Sequence, residues 1–342
     1  MRLILNQVTI SSSTNAPIYV ANADKTVIIL AEGTENYLTD SNNNEENATI
    51  LSKDDLTICG DGSLTVYGND NDAIHSNDGL VIKSGVITVT SSDDGICGKD
   101  YLVIKGGTIT VNSVGDGLKS NNDEEEDRGY IYIEDGTITV ASSQGDAITA
   151  QTDLLIAGGT FTLTSGGGSS VTPDADVSTK GLKAGVSIIV DGGDFTISSS
   201  DDAIHSDDVI VINSGTFSVS SGDESINSGT SIEINGGTVV AVGSAGMAQG
   251  PSSSSSQYSA NLQFGTQQSA NILVDIRSAS GEDLLTFCPT KSYQSLVFSS
   301  PELTAGTYDV YVGGSSTGTA INGLYEDGTY SGGTNYGSFT LS

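Results

Sequence analysis

The sequence predicts an all-β protein: a three-sided, right-handed parallel β-helix with about 22 residues per coil, followed by a C-terminal β-strand extension. Three observations lead there. First, an acid, a small residue and Ile or Leu recur as Asp72-Ala73-Ile74, Asp94-Gly95-Ile96, Asp116-Gly117-Leu118, Asp146-Ala147-Ile148, Asp202-Ala203-Ile204 and Glu224-Ser225-Ile226, with Lys180-Gly181-Leu182 in the same series. Four of the six steps between these motifs are 22 residues. Second, the text between motifs alternates with period two, as in Leu102-Val103-Ile104-Lys105-Gly106-Gly107-Thr108-Ile109-Thr110-Val111, which spells strand, glycine turn, strand. Third, 43 Gly, 5 Pro, no Trp and 36% hydrophobic residues suit turns and strands, and are too apolar for a disordered acid.

Twenty-two residues at about 3.3 Å each trace roughly 73 Å, so one repeat must wrap into a coil of short strands. Stacking coils at about 4.8 Å pairs each strand in parallel with its copy one turn on, and parallel crossovers favour the right hand. Apolar columns then run the length of the body. Leu80, Leu102, Ile131, Leu154, Ile188, Ile210 and Ile232 line one side, Ile87, Ile109, Ile138, Phe161, Phe195, Phe217 and Val239 a second, and the corner Ile/Leu set a third. Glycine at 85, 107, 136, 159, 193, 215 and 237 supplies a turn that a Cβ would obstruct.

Taken in order, residues 1 to about 70 read as earlier coils, with apolar runs Leu3 to Leu5, Val27 to Leu30 and Leu64 to Val66. Two insertions interrupt the regular count. One lies between Leu118 and Gly136 and carries Asp123-Glu124-Glu125-Glu126-Asp127; the other lies between Gly159 and Leu182 and carries a Gly-Ser stretch with Asp174 and Asp176. Insertions in solenoids gather on a binding face, and they also serve as plain solvated loops. The expected organisation is a β-helix over 1–243, a Ser-rich linker or loop over 244–257, and a β module or flank packed on the helix over 258–342.

Twelve Lys and Arg against 43 Asp and Glu leave a net charge of −31, which argues against a basic grip on nucleic acid or anionic membrane. No apolar run is long enough to insert in a membrane. The N-terminus shows no secretory leader, and the expectation is a monomeric extracellular or bacterial cell-surface protein whose leader is absent from this chain. Cys59, Cys97 and Cys288 cannot all pair internally.

The corner acids carry the candidate chemistry. In register, Asp72, Asp94 and Asp116 stand about 4.8 Å apart, where like charges repel by about 3.5 kcal/mol at an effective dielectric of 20. Such a column calls for counter-charge. Doublets at Asn71-Asp72, Asp93-Asp94 and Asp201-Asp202 add oxygen ligands, a set suited to Ca²⁺; the alternative is that the acids diverge into water and hold no particular ion. His75 and His205 share a column but lie about 24 Å apart at 4.8 Å per coil, too far to share a zinc.

The repeated Asp-Ala-Ile-His-Ser and Gly-Gly-Thr-Ile-Thr-Val phrases, together with the tail Gly323-Leu324-Tyr325-Glu326-Asp327-Gly328-Thr329-Tyr330, resemble the bacterial carbohydrate-binding domain-containing family. That resemblance implies a pectate-lyase-like right-handed β-helix, calcium bound at aspartates, an extracellular setting and binding of plant cell-wall polysaccharide, cellulose-like or acidic as polygalacturonate. Carried onto this chain, the metal candidates are Asp72, Asp93, Asp94, Asp116, Asp146, Asp201 and Asp202, with Lys180 replacing the acid in one coil. With no Trp, Tyr101, Tyr130 or Tyr132 would stack on a sugar, and Lys119 and Lys183 join them as carbohydrate-binding candidates.

Calcium on the acid side would bridge to uronate carboxylates in a non-catalytic binding protein. A calcium-dependent uronan lyase is the catalytic alternative, with Lys119, Lys180 or Lys183 as base; each also reads as a neutraliser of neighbouring acids. A third class is a structural or ice- and surface-binding solenoid, because Thr108 and Thr110, Thr137 and Thr139, and Thr160 and Thr162 form an outward hydroxyl array that Asp194 interrupts.

Overall fold

A computed structural model describes the chain from Met1 to Ser342. One representative coil comprises the strands Tyr101–Ile104, Thr108–Ser113 and Leu118–Ser120. Copies of these strands stack into three parallel sheets, the first ten-stranded, the second twelve-stranded with its last two strands antiparallel, the third nine-stranded. This is the three-sided parallel β-helix expected from the repeat. Three coils are complete by Ser76, the first formed by Arg2–Leu5, Thr9–Ser11 and Ile18–Val20.

Register follows the apolar columns residue for residue. Leu80 pairs with Leu102, Leu102 with Ile131, Ile131 with Leu154, and so on to Ile232. Because a slip of one residue would turn every inward side chain to solvent, the alternation holds the register. The result is one continuous core of 52 buried residues along the axis. Within it Phe161, Phe195 and Phe217 stack ring on ring, with centroids 4.5 and 4.4 Å apart and planes within 5° of parallel.

Glycine is required where one coil turns directly over the last. At Gly215 φ is +115°, and a Cβ would lie 2.7 Å from the Gly193 carbonyl oxygen one coil below. Buried serines close the opposite corner. Ser91 Oγ donates to the Asp93 carbonyl at 3.0 Å, Ser113 to Gly115 at 3.0 Å and Ser199 to Asp201 at 2.9 Å, so each turn carbonyl is satisfied locally.

The parallel stack ends where the alternation ends. In Thr238–Gly243 the outward positions become Val240 and Val242, both buried, where the preceding coil has Ser218 and Ser220. Both faces of this strand are covered. Tyr293–Ser299 and then Ser259–Gln268 add to it antiparallel, and a six-stranded sheet built around Val274–Ser278 and Gly306–Val312 packs on its outer face. A second core of 13 residues, including Val240, Val242, Ile276, Phe287 and Phe298, joins the two parts. The hairpin Thr319–Ile321 and Leu324–Glu326 reaches back along the helix, where Ser218 Oγ donates to the Asn322 carbonyl at 2.6 Å.

The six-stranded sheet buries Asp275 completely. Thr286 Oγ1 donates to its Oδ1 at 2.7 Å, Oδ2 has no hydrogen-bond donor, and Arg277 Nη2 stands 3.7 Å away. Burial pushes this carboxyl up from its ordinary 3.8 to about 6. The folded state therefore binds the proton more tightly than the unfolded chain does. The corresponding stabilisation is complete below about pH 4 and is lost as pH rises through about 6.

Two outcomes are expected. Phe195→Ala, which opens the middle of the ring stack, should cost about 3–5 kcal/mol in chemical denaturation, and a loss below about 1 kcal/mol would contradict a closed stack. Asp275→Asn should flatten the fall in stability between about pH 4 and 6, measured as denaturation midpoints across pH.

Candidate functional site

The corner acids stand at the turn from the second sheet to the third, and backbone geometry organises them. The amide N–H of Asp94 donates to Asp72 Oδ1 at 3.1 Å, that of Asp116 to Asp94 Oδ1 at 2.8 Å, and that of Asp146 to Asp116 Oδ1 at 2.8 Å. The Lys180 amide continues the series onto Asp146, and the Glu224 amide donates to Asp202. Each carboxylate is thus tied through one oxygen to the amide of its own counterpart one coil on. The second oxygen takes a side-chain partner from the neighbouring outward column, because that column lies beside the acids at every coil. His75 Nδ1 meets Asp72 at 2.7 Å, His205 Nδ1 meets Asp202 at 2.9 Å, and Lys183 Nζ meets Asp146 at 3.0 Å. Lys119 Nζ bridges Asp94 and Asp116 at 2.8 and 2.9 Å.

The repulsion expected down the column is therefore met in part within the fold itself. Amide dipoles and the Lys119 and Lys183 ammonium groups supply counter-charge, His75 and His205 add hydrogen bonds, and charge-assisted hydrogen bonds are the stronger ones. Asp116 and Asp146 accordingly belong to the ladder and to no multi-carboxylate set. The lysines are tied into the same network. Burial works against the charge on Lys119, yet Asp116 and Asp94 hold its ammonium well above the usual range. Lys180 is held up in the same way against its own burial, through its hydrogen bond to Asp201. Neither is poised to lose a proton as a catalytic base. Lys183 is engaged by Asp146 and Ser178 Oγ.

Two places gather three carboxylates whose oxygens lie within 4.8 Å of one another: Asp72, Asp93 and Asp94, and, five coils along, Asp201, Asp202 and Asp223. In the first, Asp93 is exposed, and Gly115 lies beneath it. A Cβ at Gly115 would sit 2.6 Å from Asp93 Oδ1 and 2.7 Å from Asp94 Oδ1, so the glycine leaves open a cradle that these oxygens border. In the second, the longer insertion folds over the acids. Asp174, Asp176, Asp201 and Asp223 line a cavity of about 420 Å³ with Lys180. The donor set is all oxygen, which fits a hard cation such as Ca²⁺. Asp223 escapes the corner motif, although the doublet Asp223-Glu224 repeats Asp93-Asp94 and Asp201-Asp202 and was available as its signal. The other insertion contributes no acid to either set; its Arg128 turns back to Asp100 at 2.8 Å.

The tyrosines fall on the first sheet. Tyr101 covers Gly79, whose Cβ would lie 2.0 Å from the ring, and stacks on Tyr130 with centroids 5.6 Å apart and planes 18° from parallel. Both faces of Tyr101 are occupied, which removes it as a platform for a sugar. Tyr130 shares that stack, and Tyr132 stands half-buried among Val103 and Leu155 of the adjacent coils.

The fold and site define a parallel β-helix whose corner-acid ladder is interrupted at Lys180, and comparison with known proteins gives its family. Residues 1–225 match the model of the carbohydrate-binding domain-containing protein family, and the chain belongs to that family. A carbohydrate-binding domain-containing protein of Acetivibrio thermocellus is 42% identical over 154 residues, which cover 43% of this chain and 54% of the relative. The chain thus spans about half the length of that relative. Among solved structures, a polysaccharide lyase-like protein from C. thermocellum, determined as a gadolinium derivative, is 29% identical with a TM-score of 0.44, covering 68% of this chain and 74% of its own.

Removing the bridging ammonium leaves two part-buried carboxylates facing each other. Lys119→Met should cost about 2–3 kcal/mol in denaturation at neutral pH, less than the 3–5 kcal/mol of a fully buried pair because the ammonium is partly solvated. An unchanged midpoint would show that the amide ladder alone suffices.

Proposed function

We propose that this protein binds polysaccharide outside the cell without cleaving it, and that calcium at the acid edge mediates the capture of acidic plant cell-wall glycans such as polygalacturonate. The cradle of Asp72, Asp93 and Asp94 over Gly115 carries the reading. Three carboxylates fall short of the six to eight oxygens calcium takes, which leaves positions for a glycan's own oxygens. When bound there, the ion would supply the positive charge that a surface of net −31 otherwise denies an acidic polymer. Asp201, Asp202 and Asp223 would hold a second ion on the same edge. With only three protein carboxylates for each ion, the expected affinity is weak, in the range of about 10⁻⁴ to 10⁻³ M typical of extracellular calcium modules. Family membership supports carbohydrate as the partner. The clamped state of Lys119 and Lys180 speaks for binding over lysine-based elimination.

Retention on immobilised polygalacturonate should require calcium and vanish with EDTA, and Asp93→Asn should weaken it about tenfold, as expected when one charged ligand is lost. Equal retention with and without chelator, or release of unsaturated uronate products, would overturn this assignment.

A further inference from the structure

The outward threonines of the second sheet do not end as an open array. They run into a groove formed with the C-terminal hairpin. Register places Thr160, Asp194, Thr216 and Thr238 in one outward column and Thr162, Thr196 and Ser218 in the next. Over these coils Ile321 and Leu324 of the hairpin form a wall, held by the hydrogen bond from Ser218 to Asn322. A cleft of about 320 Å³ over Thr160, Thr162 and Thr196 shares Thr216, Leu324 and Glu326 with a second of about 500 Å³ that extends to Thr238, Tyr325 and Tyr330. The two adjoin along these shared residues, and each falls in the size range of ligand sites, roughly 300–1,000 Å³.

The chemistry of the lining selects its occupant. No Lys, Arg or His borders either cleft, whereas Asp194, Glu326, Glu302 and Asp327 do. An anionic polymer would meet repulsion with no cation to offset it. A neutral polysaccharide carries many hydroxyl donors for the carboxylates, and the threonine hydroxyls both donate and accept. Thr286, which lines the larger cleft from the six-stranded sheet, gives its proton to buried Asp275, so its oxygen has only acceptor capacity left. Leu324 and half-buried Tyr325 offer the apolar contact that sugar rings take on their faces. Asp194, which breaks the threonine array, then acts as an acceptor set among the hydroxyls.

We infer that this groove is a second glycan site, separate from the acid edge, that takes a neutral polysaccharide chain without calcium. The inference rests on the reading of the protein as carbohydrate-binding and adds to it a division of labour: acidic glycan at the acid edge, neutral glycan in the groove.

The test is affinity electrophoresis of the full chain in gels containing soluble β-glucan, xylan or mannan, and separately polygalacturonate, each with calcium and with EDTA. At least one neutral polymer should retard the protein equally in both conditions. Glu326→Gln, at an exposed position, and Thr216→Val, isosteric on the strand, should each weaken that retardation by about tenfold, the loss of one hydrogen-bonding group. Both should leave calcium-dependent retention on polygalacturonate unchanged. Neutral retardation that survives both substitutions, or retention on polygalacturonate with none on neutral polymers, overturns the groove and leaves the carbohydrate reading standing. Retention on no polymer overturns both.

Discussion

Parallel strands stacked in register set like upon like at about 4.8 Å, and nearly everything in this protein follows from that constraint. A side chain on such a column has its own counterpart above and below, so a residue type succeeds only if it can tolerate itself as a neighbour. Branched aliphatics do so by packing, which yields one uninterrupted core. Phenylalanines do so by stacking. Serines do so by turning their hydroxyls to local carbonyls.

Aspartate is the hardest case, and the structure shows how it is accommodated. A carboxylate repels its copy, yet the backbone N–H of that copy lies within reach of one of its oxygens. One oxygen accepts the amide of the next coil while the other turns to a His or Lys three residues on, or one coil further along. The acid edge is therefore a structural seam first. Three carboxylates gather where a second acid precedes the seam residue, as at Asp93 and Asp201, and neither of these two accepts the amide of the next coil; Asp201 is held instead by Lys180.

The C-terminal part resolves a difficulty intrinsic to the solenoid. A parallel stack exposes a strand edge at its last coil, and an uncovered edge invites pairing with another chain. Here the last strand passes to antiparallel partners, and its outer face turns apolar at Val240 and Val242 to seat the six-stranded sheet. The same arrangement brings the hairpin of residues 319–326 back over the threonines, making a groove from a face that is otherwise flat.

The repeat was legible in the residues because a column must recur to be satisfied: the spacing of Ile74, Ile96 and Leu118 and the glycines between strands were enough to derive coil, register and core. The doublets Asp93-Asp94 and Asp201-Asp202 likewise announced where acids would gather. What the sequence did not disclose was the partner of each charge, since an amide donor has no signature of its own and Lys119 looks the same whether it bridges two acids or points into water. Nor could the covered state of Tyr101 be read, because it depends on Gly79 and Tyr130 from adjacent coils. The groove was beyond reach for the same reason. Its floor is periodic and its wall is not, and only the path of the chain beyond the last coil brings residues 321–326 against threonines more than a hundred positions earlier. Local alternation and self-stacking determine the solenoid; contacts between segments without a shared period are decided by tertiary packing alone.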